Sequence, residues 1–402
     1  MQVRSFASVE IRSIAATIGM AALILACFTL LSLALGLLPG CGGAQANEIL
    51  IGHIAPLTGD IKTFGESSKN GFLLAIEEAN QAGGLLGKQI RTVIADDKND
   101  PTEAANGAAK LINQDGIRLI VGSISSKCSI PISEIAQTNG AVMISPASTN
   151  PKVTVREDGT RKPFVFRACF TDALQGAAAS RIALESLHAR RTAILYDVGN
   201  DYVKGLAEFF RDAFVKGGGE IVLYESYTKD DVDFSALLTK CKAANPDLLF
   251  LPDYYNKVGL IAKQARQIGI SAQLLGGDGW DSPDMVKIAG EAIEGGCFTN
   301  HYAAEDPRPE VQTWVAKYAS RYGGKPDALA TLAYDATLLM LEAVRRAGSA
   351  DPALVKDAMT AMRGFPTVSG SVTFDKDGNP VKDVAVLEFK SGQQVFKASI
   401  AP

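Results

Sequence analysis

The chain has 402 residues, 47% hydrophobic and 21% charged, a balance that supports two or three globular domains and excludes long disorder or a collagen-like repeat. Its 40 basic and 44 acidic residues leave a net charge of -4, and no run of five basic residues occurs, which argues against an electrostatic nucleic-acid surface. The three histidines, His53, His188 and His301, share no ligand spacing, so no metal centre is expected.

The first forty residues read as an export signal. Arg4 and Arg12 give a positive start, Ile14 to Leu38 carries no charge, and Pro39-Gly40-Cys41 ends the run. Leu38-Pro39-Gly40-Cys41 resembles a bacterial lipoprotein box, with Cys41 as the lipidated first residue. Ala44-Gln45-Ala46 offers a competing cleavage site, and the apolar run is long enough for a retained anchor. Export follows in every case, which puts the protein in the periplasm or cell envelope. Cleavage leaves Cys128, Cys169, Cys241 and Cys297 beyond the processing region, and spacing alone does not choose their pairing.

From Glu48 onward, short apolar runs alternate with amphipathic ones. Strands are expected at Ile49 to Ala55, Ile90 to Asp96, Leu119 to Val121 and Ala141 to Ser145, with helices at Gly65 to Ala82, Thr102 to Gln114 and Ser126 to Thr138. A Pro/Gly/charged stretch at Asn150 to Pro163 precedes a second series. Its strands fall at Arg191 to Tyr196, Glu220 to Tyr224, Leu248 to Leu251, Gln273 to Gly276 and Gly296 to Phe298. Helices are expected at Gly205 to Lys216, Ser235 to Ala244, Lys257 to Ile268, Asp284 to Ile288, Glu310 to Tyr322, Leu329 to Ala347 and Pro352 to Met362. The end alternates at Ser371 to Phe374, Val384 to Phe389 and Val395 to Ser399, an antiparallel tail. Two such series without a flexible linker predict an α/β protein of two doubly wound lobes sharing a cleft.

The dinucleotide, P-loop, nucleophile-elbow and zinc-protease motifs are all absent, so neither a cofactor nor a catalytic residue is expected. Doublets such as Asp96-Asp97 and Asp230-Asp231 read as solvated strand-end charges. The ligand of an open α/β sheet sits beyond the strand carboxyl ends, and the informative loops lie there. Gly122-Ser123-Ile124-Ser125-Ser126 runs into a helix N-terminus suited to a carboxylate, although Ser126 also serves as a simple cap. Ser145-Pro146-Ala147-Ser148-Thr149 is a second hydroxyl-rich turn. Asp253-Tyr254-Tyr255 and Gly276-Gly277-Asp278-Gly279-Trp280 offer an acid with aromatics for a cation. The two sets together complement an α-amino acid with an apolar side chain.

At these residues the sequence resembles the periplasmic leucine/isoleucine/valine-binding proteins, solute-binding components of branched-chain amino-acid ABC transporters with the type I periplasmic-binding-protein fold. The resemblance runs from about Glu48 to the C-terminus, through GHIAPLTGDIKTFGESSKNG, NQAGGLLGKQI, DDKNDP, ISPASTNP, FRACFTD and LGGDGWDSP in family order. It implies that Ser126 and Thr149 hold the ligand carboxylate and the Ala147 carbonyl accepts from its ammonium group. Asp278 stands at an ammonium-partner position that is often glutamate, and Tyr254 and Tyr202 at aromatic positions around the ligand. Phe64 stands where tyrosine is familiar, and the bulk of Trp280 is expected to reshape the side-chain pocket.

The same resemblance implies two lobes, 47–168 with 301–368 and 169–300 with 369–402, joined by a three-segment hinge. The family's early disulfide positions read Asn99 and Ser125 here, so Cys128 and Cys169 are the expected pair, with Cys241 and Cys297 unpaired. The implied protein is no enzyme: a monomer closes over an amino acid and presents it to a membrane permease, without nucleic acid. A sensory receptor for an amino acid, amide or small carboxylate is the alternative.

Overall fold

The computed structural model describes residues 48–402; the expected export signal and the expected lipidation site, Cys41, lie outside the described residues. Two sheets organise the chain. The first has the order β2-β1-β3-β4-β5, from β1 (Glu48–Ala55), β2 (Gln89–Asp96), β3 (Leu119–Gly122), β4 (Val142–Ser145) and β5 (Val165–Arg167). β1–β3, β3–β4 and β4–β5 run parallel, with Gly52 opposite Ile120 and Leu119 opposite Val142. The central strands β3 and β4 are buried throughout, which is why they read as unbroken apolar runs rather than alternating ones.

The second sheet has the order β14-β13-β10-β9-β8-β6-β7. Its parallel part is β6 (Arg191–Asp197), β7 (Glu220–Tyr227), β8 (Leu248–Leu251), β9 (Gln273–Gly276) and β10 (Cys297–Asn300). β13 (Val384–Lys390) and β14 (Gln393–Ile400) extend it antiparallel, as the tail pattern predicts. In each sheet the strand order reverses beside an early strand, between β1 and β3 and between β6 and β8. A crevice at the carboxyl ends results.

Helices cover these sheets: α1 (Lys62–Gln81), α2 (Pro101–Asn113), α3 (Ser126–Thr138), α4 (Asp172–Arg181), α5 (Asp201–Lys216), α6 (Ser235–Ala244), α7 (Tyr255–Gln267) and α8 (Asp284–Ala289). Three more follow: α9 (Pro309–Tyr322), α10 (Ala328–Ala347) and α11 (Pro352–Thr360). Local chemistry sets their starts. Asp100 accepts from the Thr102 and Glu103 amides ahead of Pro101, and Asn200 accepts from Tyr202 N. α10 is apolar on nearly every face because it packs on α1 as well as on the first sheet. The two helices meet at Gly71, where an added Cβ would lie 2.0 Å from the Ala330 carbonyl oxygen.

Two features differ from the sequence reading. Val372 and Phe374 bury in the core of the first sheet, Phe374 against Phe166 at 5.1 Å, and β12 (Gly370–Val372) pairs with β11 (Phe365–Thr367). The chain therefore stays with the first lobe beyond residue 368 and joins the second sheet only at Val384. α4 and the turn of π-helix after it, Ile182–Ser186, lie in a segment the sequence reading left without an element. Its Ala, Gly and Ser residues give no apolar contrast between faces, so periodicity is silent there.

The expected Cys128–Cys169 disulfide is absent. All four described cysteines are free and buried. Cys128 packs with Ile54 and Ile132 beneath the first sheet, whereas Cys169 joins the core of the second, so the two thiols sit in separate clusters. Burial raises both thiol pKa values, that of Cys169 to about 12, which keeps them protonated and inert.

Candidate functional site

The loops after β1, β3 and β4 meet those after β6, β8 and β9 around one cavity with an empty volume of about 310 Å³ counting its mouth. Ile61, Phe64, Ile124, Ser125, Ser126 and Ala147 line it from the first lobe together with Leu329 at the start of α10. Tyr202, Tyr254, Asp278 and Gly279 line it from the second. The lobes touch across it. Thr63 donates to Asp284 at 2.6 Å, Asn150 donates to the Asp201 carbonyl at 2.8 Å, and Phe64 sits edge-on to Tyr254 and Tyr255.

Six of the eight residues expected to bind ligand line this cavity: Phe64, Ser126, Ala147, Tyr202, Tyr254 and Asp278. Ser125 caps α3 and Ser126 opens it, so the positive end of the helix faces the cavity with two hydroxyls beside it. Ser126 Oγ accepts from the Asn150 amide at 3.2 Å, whereas Ser125 Oγ is buried without a hydrogen bond. An anion is the natural complement. Thr149 lies just behind the cavity wall, fully buried, its hydroxyl also without a hydrogen bond.

The opposite end is acidic. Asp278 Oδ1 accepts from Tyr202 Oη and Gln175 Nε2, both at 2.8 Å, and Oδ2 lies 3.0 Å from His301 Nε2. His301 is fixed by stacking on Phe170 at 3.8 Å. Tyr202 Oη also accepts from the Gly279 amide at 3.2 Å, and its ring stacks on Tyr254 at 5.3 Å. Burial first, then the charge of Asp278, pushes the Tyr202 phenol well above its usual range, so it stays a donor. Gly279 allows this approach: a Cβ there would lie 2.8 Å from the Asp253 carbonyl oxygen.

Trp280 does not belong to the pocket. It is fully buried, its Nε1 donates to the Leu251 carbonyl at 2.9 Å, and its ring packs with Phe298 and Phe389. The three-residue 3-10 turn Asp278–Trp280 sends Asp278 into the cleft and Trp280 into the core behind the sheet. A Cβ at Gly276 would lie 2.1 Å from the indole, so glycine there makes room for it. The wall that remains, Ile61, Phe64, Ile124 and Leu329, carries no polar side-chain atom.

Gln175 and His301 hold Asp278, and the sequence reading singled out neither. Gln175 rides on α4, which periodicity does not reveal. His301 follows β10 and reaches Asp278 only through the sheet order. Thr171, a hydroxyl residue ahead of the segment, is the signal for α4: its Oγ1 accepts from the Leu174 amide and caps the helix.

The periplasmic binding protein family model matches residues 48–394. A leucine/isoleucine/valine-binding protein homolog 2 from Brucella abortus is 35% identical over 355 residues, 88% of this chain and 93% of that protein. The crystal structure of a leucine-binding protein, LivK, from Thermotoga maritima superposes with a TM-score of 0.83 at 37% identity, covering 88% of this chain and 99% of that one. The branched-chain amino-acid transporter substrate-binding protein LivJ from Streptococcus pneumoniae, in complex with isoleucine, gives 0.82 at 31% identity and the same coverage.

Proposed function

The chain belongs to the leucine/isoleucine/valine-binding members of the periplasmic binding protein family, and from that premise we propose that it captures an apolar α-amino acid between its lobes and delivers it to an ABC permease. The observation that carries this reading is the polarity of the cavity. A helix N-terminus with Ser125 and Ser126 lies at one end, Asp278 with Tyr202 at the other, and an apolar wall between them. The ligand carboxylate goes to Ser126, with Thr149 beside it, and the ammonium group to the Ala147 carbonyl and Asp278. The side chain lies against Ile61, Phe64, Ile124 and Leu329, with Tyr254 closing the wall. Phe64 brings no hydroxyl to that wall, which favours branched aliphatic side chains over polar ones.

Capture proceeds by hinge closure about the three crossings between lobes, near Cys169, after Asn300, and between Phe374 and Val384. Ligand docks first on the helix N-terminus, and the second lobe brings Tyr202, Tyr254 and Asp278 over it. No covalent bond of the ligand is made or broken. Each ligand charge meets a hydrogen-bonded partner, so analogues lacking the amine or the carboxylate leave a buried group unmatched and bind weakly. The protein acts as a monomer in the periplasm, held at the membrane through lipidated Cys41.

The test is a thermal-shift screen of refolded, ligand-free protein against the amino acids, with amides and simple carboxylates alongside. A ligand at about one hundred times its dissociation constant adds roughly 2.7 kcal/mol. Shifts confined to leucine, isoleucine, valine and close relatives are expected. Silence from every amino acid, with a response to a carboxylate lacking an amine, would overturn the reading.

A further inference from the structure

Behind the acidic end of the cleft lies a carboxyl group that the reading above leaves unused. Asp172 opens α4, and its amide donates to the Thr149 carbonyl at 2.9 Å, which draws the helix start onto the hydroxyl-rich turn after β4. Its side chain is fully buried, and neither carboxyl oxygen makes a hydrogen bond. One turn further on, Gln175 donates to Asp278 and leaves its own Oε1 without a donor, and Thr149 Oγ1 makes no hydrogen bond either. From the other side, a Cβ at Gly205, one turn beyond Tyr202 on α5, would lie 3.3 Å from Asp172 Oδ2. The carboxyl is wedged between two helix starts and the Thr149 turn.

This corner therefore holds three buried acceptor oxygens without a hydrogen bond, Asp172 Oδ1 and Oδ2 and Gln175 Oε1, and one hydroxyl, that of Thr149, to serve them. Such groups rarely stay unmatched inside a protein. Asp278 next to them already accepts from Gln175 and Tyr202 and lies 3.0 Å from His301 Nε2, so it can serve only part of an ammonium group's three protons. An ammonium group brings three donors and the positive charge that two neighbouring acids call for.

The groups facing Asp172 oppose one another. Burial raises its pKa, the Thr149 hydroxyl lowers it, Asp278 raises it and the Arg167 guanidinium at the end of β5 lowers it, with a result of about 8. Cys169 and Tyr202 also feel its charge, and both remain protonated. His301 faces it only across Asp278.

We propose that Asp172 belongs to the ammonium-binding site: it carries a proton while the cleft is empty and releases it to solvent as the ligand's ammonium group settles among Thr149, Asp172 and Asp278. The proposal rests on the amino-acid reading above. The ammonium group enters with its three protons, the O–H bond of Asp172 breaks, its proton passes to buffer, and an N–H···O⁻ contact replaces it. Nothing is oxidised or reduced. A ligand without an amine has nothing to exchange for that proton and gains nothing from the second acid, so the pair selects for amines.

Calorimetric titration of ligand-free protein with leucine, in buffers of differing ionisation enthalpy, counts the protons released. Close to one proton per leucine is expected at pH 7, falling toward zero above about pH 9, with affinity rising nearly tenfold per pH unit up to about pH 8. Asp172→Asn should abolish the release and weaken leucine binding at pH 7 by tenfold or more, whereas His301→Gln should still release the proton. Leucine binding to wild type with no proton released, or release that survives in Asp172→Asn, would overturn the proposal and leave the amino-acid reading standing. Absence of any amino-acid binding would instead sink that reading. Should Asp172→Asn fail to fold, infrared difference spectra of wild type decide the matter. Loss of one protonated-carboxyl band on adding leucine supports the proposal, and an unchanged band refutes it.

Discussion

Trp280 offers the sharpest division between what its sequence neighbourhood suggests and what its position in the fold demands. It lies two residues from Asp278, yet it touches Phe298, Phe389 and the Leu251 carbonyl rather than the cavity. Trp280→Phe removes the indole N–H and part of the ring. The Leu251 carbonyl loses its side-chain donor in a fully buried strand end, at a cost of about 1–3 kcal/mol. The space left by the smaller ring adds about 1 kcal/mol. A loss of about 2–4 kcal/mol, with an unfolding entropy near 2.1 cal/mol/K per residue over roughly 350 residues, lowers the midpoint by about 3–5 °C. Ligand affinity should change by less than about threefold, because the Asp278 and Gly279 backbone keeps its place. Thermal unfolding by circular dichroism without ligand gives the first quantity, and calorimetric titration of refolded protein the second. An affinity loss above tenfold with an unchanged midpoint would mean that the indole walls the ligand pocket after all.

Ser126→Ala removes a hydroxyl from the helix N-terminus at the cavity, where the proposed ligand carboxylate docks, and a hydrogen bond to a charged group is worth about 1.5–3 kcal/mol. Titration should show binding weakened by roughly 10- to 100-fold with the fold intact. His53 is fully buried between Phe72 and the Val121 carbonyl, which accepts from its Nδ1, and burial lowers its pKa to about 4. The folded protein holds it neutral where the unfolded chain would protonate it, so its contribution is complete above about pH 6.5. That contribution fades as the pH falls toward 4, by about 3 kcal/mol in total. Denaturant melts across that range should fall less steeply with acid in His53→Gln than in wild type, and equal slopes would refute the assignment. The thiol count is a third check: protein beginning at Glu48 should react with no thiol reagent when native and with four equivalents in denaturant. Two equivalents in denaturant would reveal a disulfide.

The alternation of apolar strands with amphipathic helices, the loops that follow each strand and the helix-starting hydroxyls are local properties. Residue identity and spacing determine them, so the two-lobed α/β architecture and the cleft-facing loops were legible from sequence. Ser126, Ala147, Tyr254 and Asp278 lie on loops that a parallel sheet presents to the crevice, and they line the cavity, whereas Tyr202 was named by the family resemblance alone. Three things required the folded chain. The direction of each side chain within a short turn separates Asp278 from Trp280, and only the packed sheet behind the turn fixes it. Cys128 and Cys169 reach different cores because the lobe crossover at Ala168 to Thr171 divides them, which no spacing of cysteines encodes. α4 carries almost no periodic signal, yet packing on α5 holds it in place and brings Asp172 and Gln175 behind the acidic end of the cavity. Burial and long-range pairing also decide which acids keep a proton, because desolvation depends on everything that surrounds a group and not on its neighbours in the chain.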